Sequence, residues 1–383
     1  MKDLFKVWKM EMQRLLAHKG FLFLALAWPL VFAFFFGKIY SQRVVNQMPI
    51  AIVDLDRSNL SRTLIRFTST NRSFEIKETF DNTETLKDPF LKGDFAAAII
   101  IPRDFQRDIK RGHRTQVTVW VNATNVVVAN LTMSEMAYIV GTLNGGIQMK
   151  FLQKTGSSSQ RAMEMIQPLP LNIAKLYNPG LNYLNYLTPG IWAAILHQVI
   201  ILLGALCFVP HQQRKETATL LSHLRSSQAM FWGKWSFYFV LGLLSFEVFF
   251  RLLFPWFEIS LHAPVAELLV FSALLCAAAV SLGCAISLAS ARTIGALKGV
   301  LLLASPAFIL SGYTFPISQM PEFYKYITAI FPLTPFISGY RKIYQEGVPL
   351  TYLGSEVLHL LILTVLYLAV ALFFYQRKWR KPA

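Results

Sequence analysis

The rhythm of apolar positions changes several times along this chain. Leu4, Phe5, Trp8, Met12, Leu15 and Leu16 recur at helical spacing, with Lys2, Lys6, Lys9, Arg14 and Lys19 among them. Residues 1–20 therefore predict an amphipathic helix lying in the headgroup plane, apolar side down. Residues 21–40 carry the apolar run Phe21–Phe36, with Pro29 in its middle and Lys38 placed to snorkel. This predicts a first membrane span. No small-x-small cleavage site follows Phe36, where the chain reads G-K-I-Y-S-Q, so the span is expected to stay attached.

From residue 41 to 187 the pattern is that of a water-soluble domain. Ile50–Val53 is a short apolar run ending at Asp54 and Asp56, and Asp56 or Ser58 is placed to cap a helix reaching Phe67. Phe74–Lys77 and Val117–Val121 alternate like strands, and Phe95–Ile101 reads as a buried strand. Pro102–Arg111 predicts a Pro-started helix stopped by Gly112, and Val126–Phe151 a long helix broken near Gly145-Gly146. Strands interleaved with helices suggest a small α/β domain.

Five more apolar runs follow: Thr188–Val209, Phe231–Pro255, Val265–Ser290, Gly299–Tyr313 and Val357–Tyr375. Each approaches the roughly 20 residues that cross a bilayer. Between the last two, Ser305–Pro335 carries Pro306, Gly312, Pro316, Pro321, Pro332 and Pro335 among apolar and aromatic residues. Such broken backbone is tolerated at membrane depth only where protein or a wet cavity satisfies it. The expected fold is mainly α: a six-span helical membrane domain with a small α/β extracytoplasmic domain inserted after the first span.

Composition agrees. Only 15% of the 383 residues are charged and 54% are hydrophobic, where soluble proteins carry about 25% charged residues. The net charge of +16 sits beside the ends of apolar runs rather than on one soluble face, which argues against a nucleic-acid partner. Lys2, Lys6, Lys9, Arg14, Lys19, Arg214, Lys215, Arg225, Lys234, Arg292, Lys298, Arg377, Lys378, Arg380 and Lys381 flank one side of the spans. Only Lys325, Arg341 and Lys342 flank the other outside the long domain, so both termini are expected in the cytoplasm and residues 41–187 outside. Cys207, Cys276 and Cys284 fall within apolar runs and read as packed hydrophobes.

Candidate chemistry is sparse. Asp54, Asp56, Asp104 and Asp108 lack convergent His or Glu partners and read as caps and surface charge; Asn59, Asn122 and Asn130 open N-x-S/T triplets. Gly233-Lys234 has no upstream Gly at P-loop spacing, and neither G-x-S-x-G nor H-E-x-x-H occurs. Glu247 and Arg251 sit at i, i+4 inside a span and are placed to pair. His197 and His359 are expected to hydrogen-bond between helices. Glu216 through Arg225 predicts a short helix exposing Leu220, Leu221 and Leu224 from a basic loop, an apolar stripe that needs a partner.

Taken in order, these stretches resemble the type-2 ABC exporter permeases, in the branch with a large domain between the first and second spans. Val53-Asp54-Leu55-Asp56-Arg57-Ser58-Asn59-Leu60-Ser61 is similar to that branch's V-D-x-D-x-S-x-L-S, and Ile101-Pro102-Arg103-Asp104-Phe105 to its I-P-x-x-F turn. Lys215-Glu216-Thr217-Ala218-Thr219 resembles its coupling segment, with Ala218 where Gly is usual, and Gly233-Lys234 its downstream G-K. Leu310–Pro321 resembles L-S-G-x-x-x-P-x-x-x-M-P, and Pro332–Thr334 its P-x-T.

The resemblance implies an exporter half in the bacterial inner membrane, paired with a second permease chain, identical or similar. A separate ATPase subunit would carry the ATP and Mg, so this chain itself needs no cofactor and is no enzyme. Within residues 188–376, a loop at 210–230 would couple to that subunit through Glu216, Thr217, Leu220, Leu221 and Leu224. A re-entrant segment at 314–345 would adjoin an outer gate of Ser311, Gly312, Tyr313, Phe315, Pro316, Met320 and Pro321, and 377–383 would be a cytoplasmic basic tail. Substrates would be amphipathic drugs, lipids or lipid-like molecules, and envelope proteins would be possible partners of the outer domain. The alternatives are a membrane-anchored receptor or scaffold that binds a partner through that domain, and an ion-driven transporter.

Overall fold

The structure is a computed structural model describing residues 2–167, 174–222, 224 and 226–379. Arg225, Arg380 and Lys381, counted above as flanking charges, and the side chain of Ala218 lie outside the described residues. Two compact units form, one of residues 44–174 and one joining residues 1–43 to 175–383.

The helical unit opens with α1 (Lys2–Ala17) and the apolar α2 (Lys19–Ile39). α2 contains a π turn at Phe23–Ala27, two residues before Pro29. Pro offers no donor and its ring crowds the carbonyl four residues back, and a wider turn relieves both.

The other unit holds β1 (Met48–Asp54), α3 (Asn59–Thr70), β2 (Phe74–Phe80), α4 (Thr83–Lys92), β3 (Ala97–Ile101), α5 (Phe105–Lys110), β4 (Thr118–Val121), α6 (Val126–Lys154) and α7 (Ser159–Ile166). The sheet order is β2-β1-β3-β4, with β1 parallel to both neighbours and β4 antiparallel to β3. Central β1 is covered on both faces, which is why it reads as an unbroken apolar run. Ile50 packs with Leu64 and with Met136, Ile139 and Leu143 of α6, while Ala51 and Val53 pack with Leu86 and Phe95.

The Asp54–Ser61 motif is a capping device. Asp54 Oδ1 accepts from the amides of Asp56 (3.1 Å) and Arg57 (2.9 Å), and Oδ2 from the Ser61 hydroxyl (2.7 Å). Ser58 caps α3 by accepting from the Ser61 amide at 3.1 Å, and Asp56 accepts from the Gln106 amide at 3.1 Å. Two expectations need correcting. α5 begins at Phe105 rather than Pro102, because its N-cap Asp104 takes a left-handed φ of 62°. α6 runs unbroken through Gly145-Gly146, since its buried stripe Met136–Ile139–Leu143 continues to Ile147 on the sheet; packing outweighs the ~1 kcal/mol cost of each helical Gly.

The helical unit resumes with α8 (Tyr183–Ala205), α9 (Thr217–Ser222), α10 (Ser227–Trp256), α11 (Val265–Ala289), α12 (Thr293–Leu310), α13 (Glu322–Thr328), α14 (Leu333–Glu346) and α15 (Gly354–Lys378). α10 repeats the device of α2, with a π turn at Phe249–Leu253 two residues before Pro255. α8 and α11 meet backbone to backbone: a Cβ on Gly283 would lie 2.5 Å from the Ile201 carbonyl oxygen, and one on Gly204 3.1 Å from Gly283 Cα. Small residues at a helix crossing permit this approach. Among the described residues seven helices are long and apolar enough to cross a membrane. One of them is α6, which lays its apolar stripe on the sheet.

Candidate functional site

Two polar clusters stand out within the helical unit. The first forms where α12 ends. The Ser311 hydroxyl donates back to the Phe308 carbonyl at 2.6 Å, and Gly312 takes a φ of +82°, which a side chain would resist. The chain thereby turns Tyr313 into the bundle, where it is 1% exposed. Its ring occupies the space left by Gly190, whose absent Cβ would lie 2.2 Å from it.

Tyr313 stacks on Tyr186 with ring centroids 5.7 Å apart. The Tyr186 hydroxyl donates to the Tyr313 carbonyl at 3.1 Å, and the Tyr313 hydroxyl donates to the Tyr186 carbonyl. Arg341 of α14 completes the cluster. Its Nη2 donates to the Tyr313 carbonyl at 3.1 Å, and its guanidinium lies 4.4 Å from the Tyr313 ring centroid and 5.5 Å from that of Tyr186. The Tyr344 hydroxyl lies 3.3 Å from that of Tyr313 and donates to the Asn185 carbonyl at 3.2 Å.

Of the residues expected at an outer gate, Ser311 and Gly312 line a shallow cavity of about 250 Å³ with Ile317, Ile337, Arg341 and Glu346. Tyr313 and Phe315 do not line one surface: Tyr313 is buried, whereas Phe315 is exposed, as are Pro316 and Pro321. Met320 is buried. α14 is seated firmly, with Phe336 stacked on Phe271 at 5.3 Å. In the sequence Arg341 reads only as a flanking charge, and Tyr186 and Tyr344 do not stand out. The Tyr340–Arg341–Tyr344 spacing was the available signal.

The second cluster joins α1 to α10. α1 turns Val7, Glu11 and Leu15 inward and leaves Phe5, Met12 and Leu16 exposed. So the helix has a docked side as well as an apolar outer side. Glu11 and Lys234 are fully buried and paired, Tyr238 donates to Glu11 at 2.5 Å, and Lys234 donates to the Cys207 carbonyl at 2.9 Å. Arg14 donates to the Leu206 carbonyl at 2.9 Å. Burial alone would raise the Glu11 carboxyl, but Lys234, and after it Arg14, outweigh this and hold it below the ordinary range. Gly233 explains the other half of the G-K pair, because a Cβ there would lie 2.7 Å from Val7. In the sequence Lys234 reads as a flanking charge, and nothing marks Glu11 as its partner.

The loop helix α9 corrects one expectation. Leu221 and Leu224 are buried in the main hydrophobic cluster, and Leu220 is partly buried against it, so the stripe finds its partner within the chain. Glu216 meets His211 at 2.9 Å, and that hydrogen bond is the main cause holding its carboxyl below the ordinary range. Thr217 opens α9, while Lys215 and Thr219 are exposed.

Glu247 and Arg251 do pair along α10. His359 meets the Ala329 carbonyl at 2.7 Å. His197 departs from expectation: it is buried with no hydrogen-bond partner at Nε2.

Residues 19–373 match the family described as ABC-2 family transporter protein. The chain is 24% identical over 399 residues to the inner membrane transport permease YhhJ of Escherichia coli K12, covering 98% of both chains. It is 22% identical over 292 residues to the probable multidrug ABC transporter permease YbhS of the same organism, covering 76% of this chain and 75% of that one. ABC transporter G family member 20 of Dictyostelium discoideum is 21% identical over 309 residues, covering 80% of this chain and 40% of its own. With a match running from the first apolar helix almost to the end of the last, the chain belongs to the ABC-2 transporter family, as a type-2 ABC permease.

Proposed function

We propose that this permease forms half of the membrane pathway of an ATP-driven exporter for amphipathic molecules. Six helices (α2, α8, α10, α11, α12 and α15) cross the inner membrane with both ends of the chain in the cytoplasm, and the sheet unit lies outside. A second permease chain completes the pathway, and ATP and Mg bind on a separate subunit.

One observation carries this reading. α9 is a short helix between two long apolar ones, and the residues before it and after it join the cluster around Glu11 and Lys234 through Leu206, Cys207 and Tyr238. A push on α9 is therefore delivered to α1, α8 and α10 together. The coupling contact falls on the polar side of the loop, at Lys215, Glu216, Thr217 and Thr219, with Leu220, Leu221 and Leu224 fastening the helix from below. Tyr186, Tyr313 and Arg341 hold the other end of the pathway closed at rest.

Reconstitution with the ATP-binding subunit into vesicles tests this. Export of a fluorescent amphiphile should require ATP hydrolysis and should stop in Lys215→Glu without loss of the folded protein. Transport that persists without ATP and follows an ion gradient would overturn it. So would loop variants that leave function intact while deletion of residues 44–174 abolishes it, the behaviour of an anchored receptor.

A further inference from the structure

The sheet unit carries a depression that the export reading does not use. It lies between α3, α5 and α6, holds about 290 Å³, and is lined by Asn59, Leu60, Thr63, Gln106, Ile109, Lys110, Ile147, Lys150, Phe151 and Lys154. Its two kinds of wall are chemically distinct. Leu60, Ile109 and Ile147 are half-buried and give an apolar floor, and Phe151 stands beside them 67% exposed. Lys110, Lys150 and Lys154 are all exposed at the rim, and no acidic residue is among the lining.

Those lysines stay available for a reason. The carboxylates nearest Lys110 in sequence, Asp104 and Asp108, are taken by Arg107 at 2.8 and 3.6 Å, and none of the three lysines forms an ion pair among the described residues. Three unpaired ammonium groups around an apolar floor concentrate positive potential where a tail would be buried. The same α3–α6 seam also carries a second depression of about 300 Å³, lined by Phe67, Thr70, Asn71, Tyr138, Ile139 and Thr142. Along α6, Ile139 and Lys150 are about 16 Å apart at 1.5 Å per residue.

We propose that this seam binds a single-chain anionic amphiphile, its carboxylate or phosphate among Lys110, Lys150 and Lys154 and its chain over Leu60, Ile109, Ile147 and Phe151. Volume selects one chain rather than two. Charge selects an anion over a neutral or cationic amphiphile. The inference does not depend on the export reading, because binding is measured on this chain without the ATPase subunit.

The test uses the full chain purified in a non-ionic detergent and a palmitate bearing a diazirine in its chain, with the labelled peptides mapped by mass spectrometry. Saturable labelling is expected on residues 59–70 and 139–154, competed by plain palmitate. It should fall at least tenfold in the Lys110→Glu, Lys150→Glu, Lys154→Glu triple variant. A diazirine-bearing hexadecanol should label these peptides at least tenfold less than the acid does. Ile147→Trp, which keeps every charge but fills the floor, should also abolish labelling, and serves if the triple variant does not fold. Labelling confined to the membrane helices, labelling unchanged in both variants, or equal labelling by acid and alcohol would each overturn the proposal. An acidic protein partner on this face would give the first of those results.

Discussion

Tyr186 and Tyr313 each donate a hydroxyl to the other's main-chain carbonyl, so two residues 127 positions apart close a reciprocal pair. Removing either hydroxyl deletes one of these bonds, at about 0.5–1.5 kcal/mol, since the Tyr313 carbonyl keeps its Arg341 donor. Because the two bonds share one stacked geometry, the losses should not add. Thermal unfolding in detergent of Tyr186→Phe, Tyr313→Phe and the double variant should show a coupling above about 0.5 kcal/mol. Strict additivity would mean the two bonds act independently.

Gly190 is the silent member of that pair. Its substitution by Ala puts a methyl group where the Tyr313 ring sits. Overpacking of this kind costs about 1–3 kcal/mol. Gly190→Ala should lower the melting temperature, and Tyr313→Ala in the same background should recover part of the loss.

Glu11 and Lys234 are buried together, and breaking one partner leaves a bare charge. Glu11→Gln or Lys234→Met alone should destabilise by about 3–5 kcal/mol, whereas replacing both by well-packed apolar residues should cost far less. The double-mutant cycle in denaturant measures this.

The same pair sets an acid limit. The folded Glu11 carboxyl lies below the ordinary value of 4.5. The stabilisation it supplies is therefore complete above that value and is lost as pH falls through the depressed folded value. Melting temperatures taken between pH 7 and pH 3 should fall at the acid end in the native chain. In Glu11→Gln that component of the fall should disappear.

Leu221 and Lys215 should separate fastening from contact. Leu221→Asp puts a charge into the hydrophobic cluster and should reduce the yield of folded protein. Lys215→Glu changes an exposed residue and should leave the fold intact while uncoupling ATP hydrolysis from transport. Comparing size-exclusion profiles with substrate-stimulated ATPase activity distinguishes the two.

Much of this arrangement is legible in residue patterns. Apolar runs announce the long helices, alternation announces the strands, and the Asp54–Ser61 spacing announces its cap. What local pattern hides is pairing across distance. Lys234 looks like any lysine at a span end until Glu11 is seen opposite it. Leu221 and Leu224 look exposed because their partners lie elsewhere in the chain. The Gly145-Gly146 pair looks like a break because the sheet that supports it is assembled from strands far upstream. Arg341 is likewise a flanking charge in a count and a ring-stacked clamp in space.

The buried ion pair also has a consequence in time. Its members are 223 positions apart, and at about 5–20 residues per second roughly 10–45 s of synthesis separate them. During that interval Glu11 has no cation from α10 to meet, and α1 keeps only its other side, with Phe5, Met12 and Leu16, for apolar contact. Its docking is thus a late step in biogenesis, one that registers the arrival of α10.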